Sequence, residues 1–143
     1  MAYQVSVFLE NKAGYFRKVT SALTAAGVNI QSMTLSTTTM GWGILNMIVD
    51  NPKKAEESLK LNNHPVALRK VIALSMDDSV GGLDAALSHL EAADINMETA
   101  YGRNRNSNGQ AVLIVDVHDV ENAELRLKEQ GAILLTDEEV YCF

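Results

Sequence analysis

The sequence predicts an α+β fold built twice: two βαββαβ modules, each an antiparallel sheet with helices on one face, joined side by side. Three observations carry this. The apolar period switches between two residues and three to four along the chain, as strands and amphipathic helices require. The pattern then repeats after 67 residues without a gap, so that Gly14, Leu23, Ala26 and Asn29 recur as Gly81, Leu90, Ala93 and Asn96. Finally, 143 residues make one ordinary domain or two small ones of about 70 residues each, and the repeat decides for two. The expected modules are residues 1–70 and 71–143.

In the first module, Val5, Val7 and Leu9 alternate with Ser6, Phe8 and Glu10, a strand with unlike faces. Polar and small residues interrupt from Glu10 to Gly14. Phe16, Val19, Leu23 and Ala26 form one helical stripe, and Gly27 stands where a helix end wants a left-handed residue. Val28 to Leu35 reads as a strand and residues 36–43 as a hairpin connection. Trp42 within that connection suits a hairpin cap, an interface anchor or a lid over a ligand. Ile44 to Val49 is nearly all apolar, as a strand buried on at least one face would be. Asp50-Asn51-Pro52 starts a solvated helix over Lys53–Leu61, Asn62-Asn63-His64-Pro65 breaks it, and Val66–Leu68 returns as a strand. This order is the ferredoxin-like arrangement.

The second module copies it. Ile72, Leu74 and Met76 replace Val5, Val7 and Leu9, and Leu83, Ala86, Leu90 and Ala93 take the helical stripe. Ile95 to Gly102 is a strand, followed by a turn over residues 103–109 that ends in the hairpin pair Asn108-Gly109. Ala111–Val117 is a buried strand, Val120–Glu129 a helix ended by Gly131, and Ile133–Leu135 with Val140–Phe143 is expected to close the sheet. No flexible linker intervenes at the boundary, Arg69-Lys70, so the modules are expected to be held close. A unit of this size buries a limited share of its surface, and each should lean on its copy or on a second chain.

Composition narrows the function. A net charge of −6, from 12 basic and 18 acidic residues, argues against nucleic-acid or anionic-membrane partners, which want a basic face. The single cysteine, Cys142, allows no intrachain disulfide and no Cys-pair metal site. The N-terminus has no signal-peptide pattern, and no apolar run reaches membrane-spanning length, so the expectation is a soluble cytoplasmic protein. His64, His89 and His118 share no metal-ligand spacing. Nucleotide-loop and nucleophile-elbow motifs do not occur. Asp77 and Asp78, adjacent at a strand end, point apart, which suits solvated charges better than an acid–base pair. Neither enzymatic activity, a cofactor nor a metal is expected.

Glu10-Asn11-Lys12-Ala13-Gly14-Tyr15-Phe16 and, after the helix, Gly27-Val28-Asn29-Ile30 resemble the ACT domain, a small regulatory module on enzymes of amino-acid metabolism. The chain lacks the Pro frequent in that loop, having Ala13 and Val80 there, and its second copy has Asp78 for Asn11 and Asp94 for Gly27. From spacing alone, a plain strand-to-helix turn outweighs a ligand site at either loop. The resemblance reverses that, because the loop contributes to the effector site in the family. A helix N-terminus offers free N–H groups to a carboxylate, a glycine lets the backbone approach, and an Asn amide serves both charges of a zwitterion.

The resemblance therefore implies ligand-binding residues Asn11, Lys12, Ala13, Gly14 and Asn29 in the first module, and Asp78, Ser79, Val80, Gly81 and Asn96 in the second. ACT modules often pair through their second strands, so the expected sites are composite: Asn11 and Gly14 with Asn96, Asp78 and Gly81 with Asn29. The expected protein is a non-catalytic regulator that binds a free amino acid at an interface between ACT modules. It would be a homodimer, with an enzyme or regulator as its further partner. Asp77 and Asp78 would tolerate a cationic or imidazole side chain, a lean towards histidine. The alternatives are a ligand-independent dimerisation or adaptor module and an acylphosphatase-like hydrolase; the latter needs an Arg in its phosphate loop, and neither loop holds one.

Overall fold

The structure, a computed structural model, describes residues 2–103 and 108–142. Residues 104–107 of the expected turn and Phe143 fall outside them. The chain divides into two compact units, Tyr3–Arg69 and Lys70–Phe143 with Met1–Ala2.

The first unit comprises β1 (Ala2–Glu10), α1 (Tyr15–Ala25), β2 (Ile30–Thr37), β3 (Trp42–Val49), α2 (Pro52–Leu61) and the opening residues of β4 (Val66–Asp77). Strand order is β2-β3-β1-β4. Antiparallel register sets Val5 against Met47 and Val7 against Leu45, so alternate residues of both strands meet the helices. Val19 and Leu23 of α1 and Ala55 and Leu59 of α2 complete this core. Leu23, Leu45, Met47 and Leu59 are fully buried, each contributing about 1.5–3 kcal/mol. On the other sheet face, the paired Phe8 and Ile44 remain 46% and 43% exposed. Trp42 opens β3 with its ring 5.5 Å from that of Phe8, while Thr38 N–H donates to its carbonyl at 2.8 Å and closes the hairpin.

The second unit takes the rest of β4, α3 (Gly82–Ala92), β5 (Thr99–Arg103), β6 (Gln110–Asp116), α4 (Val120–Glu129) and α5 (Asp137–Tyr141). Strand order is β4-β6-β5, with Ile72 against Val115 and Leu74 against Leu113. Its core is Ile72, Leu74, Ala86, Leu90, Leu113, Val115 and Leu127. Unlike β3, β6 is buried on both faces from Ala111 to Asp116.

Several boundaries differ from the sequence expectation, each for a local reason. β2 starts at Ile30 because Asn29 is held outside the ladder: its N–H donates to Asp50 Oδ1 at 3.0 Å and its carbonyl accepts from Asp50 N–H at 3.1 Å. β5 likewise starts only at Thr99. β4 runs unbroken through Arg69 and Lys70. The largest departure is the C-terminus. Ile133–Leu135 does reach β4, through a bridge at Leu134, with Ile133 and Leu135 bonded to Ser75 and Ala73. Val140, however, lies in α5, not in a strand. Thr136 and Glu139 form a capping box: the threonine hydroxyl accepts from Glu139 N–H, and the carboxylate accepts from Thr136 N–H at 2.8 Å. That reciprocal cap outweighs the strand propensity of the residues after it. Val140 is fully buried, and the guanidinium of Arg103 donates to its carbonyl.

Candidate functional site

Each unit builds the same loop at the start of its first helix. In the first, Asn11 N–H donates to Gly41 O at 2.9 Å, tying the loop to the tip of the β2–β3 hairpin. Gly14 caps α1 at φ 86° and Gly81 caps α3 at φ 85°, a conformation that costs glycine nothing and other residues strain. No side chain caps either N-terminus; Tyr15 N–H donates to Lys12 O and Gly82 N–H to Ser79 O, and the helix dipole with the next N–H groups of each first turn favours an anion there. In the second unit Asp78 N–H donates to Gly109 O at 3.2 Å, the same tie to the equivalent hairpin. The first turn of α3 carries Asp84, whereas that of α1 carries no acid. An acid in the first turn competes with any anion for the dipole, so the α1 terminus is electrostatically the more favourable of the two for an anion.

Side chains add to this contrast. Lys12 pairs with Glu10 at 2.8 Å, and the hydrogen bond to that carboxylate, with its charge, holds the ammonium above its ordinary pKa. Lys18 sits 4.6 Å above the Tyr15 ring. In the second loop Val80 is fully exposed. A Cβ at Gly82 would lie 1.9 Å from Asp77 O, so the chain closes there more tightly than at Tyr15, its counterpart.

Asn29 and Asn96 do not join the loops of their own units. Asn29 follows the end of α1, beside Asp50, while Gly14 stands at its start. The 11 residues of α1 put about 16 Å between those ends. α3, also 11 residues, separates Gly81 from Asn96 in the same way. Asn29 and Asn96 are both exposed. Asp94, standing where the first unit has Gly27, adopts the same left-handed backbone, φ 52° against 67°. Aspartate tolerates that region, so the substitution leaves the turn intact.

One site escaped the sequence reading altogether. Between α1 and α2 runs an open groove of about 900 Å³, floored by Ser21, Ala22, Ala25 and Ser58. Arg17, Lys18, Lys54 and His64 line it, against one acid, Glu57. Burial, and secondarily the Lys18 charge, hold the His64 imidazole below its ordinary pKa. The doublets Arg17-Lys18 and Lys53-Lys54 were the available signal.

Two ferredoxin-like modules in tandem, each opening its first helix on a left-handed glycine with no side-chain cap and each turning towards its second strand at an Asn, define a duplicated α+β module. The chain belongs to the ACT domain pair family, whose model matches residues 1–139. It is similar to a Bacteroides thetaiotaomicron protein of known structure, with 30% identity and a TM-score of 0.87 over 99% of this chain and 96% of that one. The regulatory subunit of aspartate kinase from Thermus thermophilus shares the fold at 17% identity and TM-score 0.63, covering 90% and 89% of the two chains. That from Thermus flavus does so at 14% and 0.57, over 90% and 92%. No curated protein matches the sequence. No helix among the described residues is long and apolar enough to cross a membrane.

Proposed function

We propose that this chain is a non-catalytic, cytoplasmic regulator of two ACT modules, residues 1–70 and 71–143, that binds a free amino acid and signals through conformation or assembly. The observation that carries the reading is the pair of uncapped helix N-termini, each opened by a left-handed glycine. The ligand's carboxylate meets the first loop through the side chains of Asn11 and Lys12 and the amides of Ala13 and Gly14, or the second through the amides of Ser79, Val80 and Gly81 beside Asp78, the backbone N–H groups of Asn11, Lys12 and Asp78 being engaged within the protein. Its ammonium meets the side-chain oxygen of an Asn. Because Asn29 and Gly14 stand at opposite ends of one helix, a ligand touching both kinds of group uses the loop of one module and the Asn of another. A homodimer supplies the modules needed, and an enzyme or regulator receives the signal.

A thermal-shift screen of the twenty common amino acids tests this. At a hundredfold over its dissociation constant, a ligand that binds only the folded state adds about 2.7 kcal/mol of stability, which appears as a rise in Tm. Asp77 and Asp78 favour a cationic or imidazole side chain, so histidine is the expected best ligand. A flat response to all twenty would instead leave an adaptor that pairs without ligand.

A further inference from the structure

The two units carry opposite charge. Tyr3–Arg69 holds seven Lys or Arg against four Asp or Glu, a net of +3; the remainder holds five against fourteen, a net of −9, and the two make up the chain's −6. The contrast extends to the helical faces. The repeat aligns the first helices at an offset of 67 residues, and the N-caps Asn51 and Asp119, each accepting from the N–H three residues on, align the second helices at 68. On this alignment Asp84 stands for Arg17, Asn122 for Lys54 and Glu129 for Leu61.

Shape follows the same division. The groove of the first unit exists because small side chains floor it. Where that floor has Ala22 and Ser58, the second unit has His89 and Arg126, and where the groove wall has Glu57 the second has Leu125, 64% exposed. Arg126 folds back to donate to Asp94 O at 3.2 Å. Lys128 pairs with Glu124 at 2.6 Å and Lys70 with Glu121 at 3.2 Å. The basic groups of that face are thereby matched internally, while Asp84, Glu91 and Glu129 are exposed carboxylates. Asp84 and Glu91, seven residues apart on α3, share one helical stripe. In the groove the cations sit towards both ends: Arg17 and Lys18 in the first turn of α1, and Lys54 beside its last, 3.9 Å from where a Cβ on Gly27 would lie.

We propose that the groove between α1 and α2 receives the filled, acidic α3–α4 face of a second copy of this chain. Charge selects the occupant: among the described residues, the α3–α4 face sets exposed carboxylates beside an apolar knob, Leu125, on the helices equivalent to those that form the groove. A floor of Ala and Ser lets another helix approach closely, and opposite charges at its two ends fix the register. Used reciprocally, the contact closes a two-fold pair in which each chain gives a groove and an acidic face. It does not depend on amino-acid binding, and it differs from pairing along sheet edges, which would leave these helices free.

The test is a charge exchange on the full chain. One variant carries Arg17→Glu, Lys18→Glu and Lys54→Glu; the other carries Asp84→Lys, Glu91→Lys and Glu129→Lys. These are exposed positions, and unchanged circular dichroism confirms folding. Sedimentation velocity should find the wild type associating at about 50 mM salt, at least tenfold more weakly at about 500 mM. Each variant alone should be monomeric. An equimolar mixture should recover the wild-type affinity, because each new acid then faces a new base. Ala25→Trp, which fills the groove without altering charge, should also abolish association. A wild type that is monomeric throughout, association that persists in either variant or in Ala25→Trp, or a mixture that stays monomeric would overturn the proposal.

Discussion

The first unit leaves one face of its central strand open and digs a groove between its helices; the second buries its central strand on both faces and fills the equivalent groove. Phe8 and Ile44 lie half-exposed on the sheet of the first, while Val112 and Ile114 are buried in the second. Yet the positions that set the backbone agree closely. Gly14 and Gly81 share φ within a degree, Gly27 and Asp94 share the left-handed region, and Asn51 and Asp119 cap in the same way. A duplicated fold is thus held by a few backbone-setting positions and one apolar stripe. Most surface side chains outside them diverge, Asn29 and Asn96 being an exception, and the divergence is where the two units can take different roles.

The sharpest way to break this comparison is at Gly82. Its counterpart, Tyr15, carries a full side chain, but a Cβ at Gly82 would meet Asp77 O at 1.9 Å. Gly82→Ala should cost about 2–4 kcal/mol in denaturant unfolding, since the obstruction is backbone and cannot swing aside. Tyr15→Ala should cost clearly less. Equal losses would mean that the two loops are under the same constraint after all.

Next in size is the C-terminal helix. Val140 is fully buried in α5, an element with no counterpart in the first unit. Val140→Ala should destabilise by about 1–3 kcal/mol. Were α5 an ornament, the same substitution would be silent.

The smallest effect is a pH dependence confined to the first unit. His64 is held below its ordinary pKa by burial and then by Lys18, with Arg17, Lys54 and Glu57 the other charges lining that groove. Its folded pKa lies below its unfolded one, so the folded state prefers the neutral ring. The contribution is complete above about pH 6.5 and is lost as pH falls through that value towards the folded pKa. Ala132 stands at the equivalent place in the second unit. His64→Gln should therefore flatten the stability profile between about pH 7 and pH 5; an unchanged slope would assign the dependence elsewhere.

Most of the fold could be read in the sequence because it rests on periodicity, which the 67-residue repeat states twice. The α4 boundaries, Val120–Glu129, fall where the sequence puts them. The tail departs from its sequence expectation because Val140 and Tyr141 favour a strand by propensity, while the Thr136–Glu139 box that decides the matter is a four-residue signal. The loops were legible through their glycines. The groove was not, since Ser21 and Ala25 meet Ser58 only across two helices, and no pattern along one segment registers an absence of side chain.

The central claim, that the loop of one ACT module and the Asn of another hold one amino acid, is tested most directly by calorimetric titration of Asn11→Ala, Asn29→Ala and Asn96→Ala with the ligand found in the thermal screen. Losing a hydrogen bond to a charged group costs about 1.5–3 kcal/mol, roughly tenfold or more in affinity. Asn11→Ala and Asn96→Ala should each weaken the same class of site and leave the other intact, while Asn29→Ala weakens the second class alone. Asn11→Ala and Asn29→Ala removing one shared site, with Asn96→Ala leaving it untouched, would contradict the account.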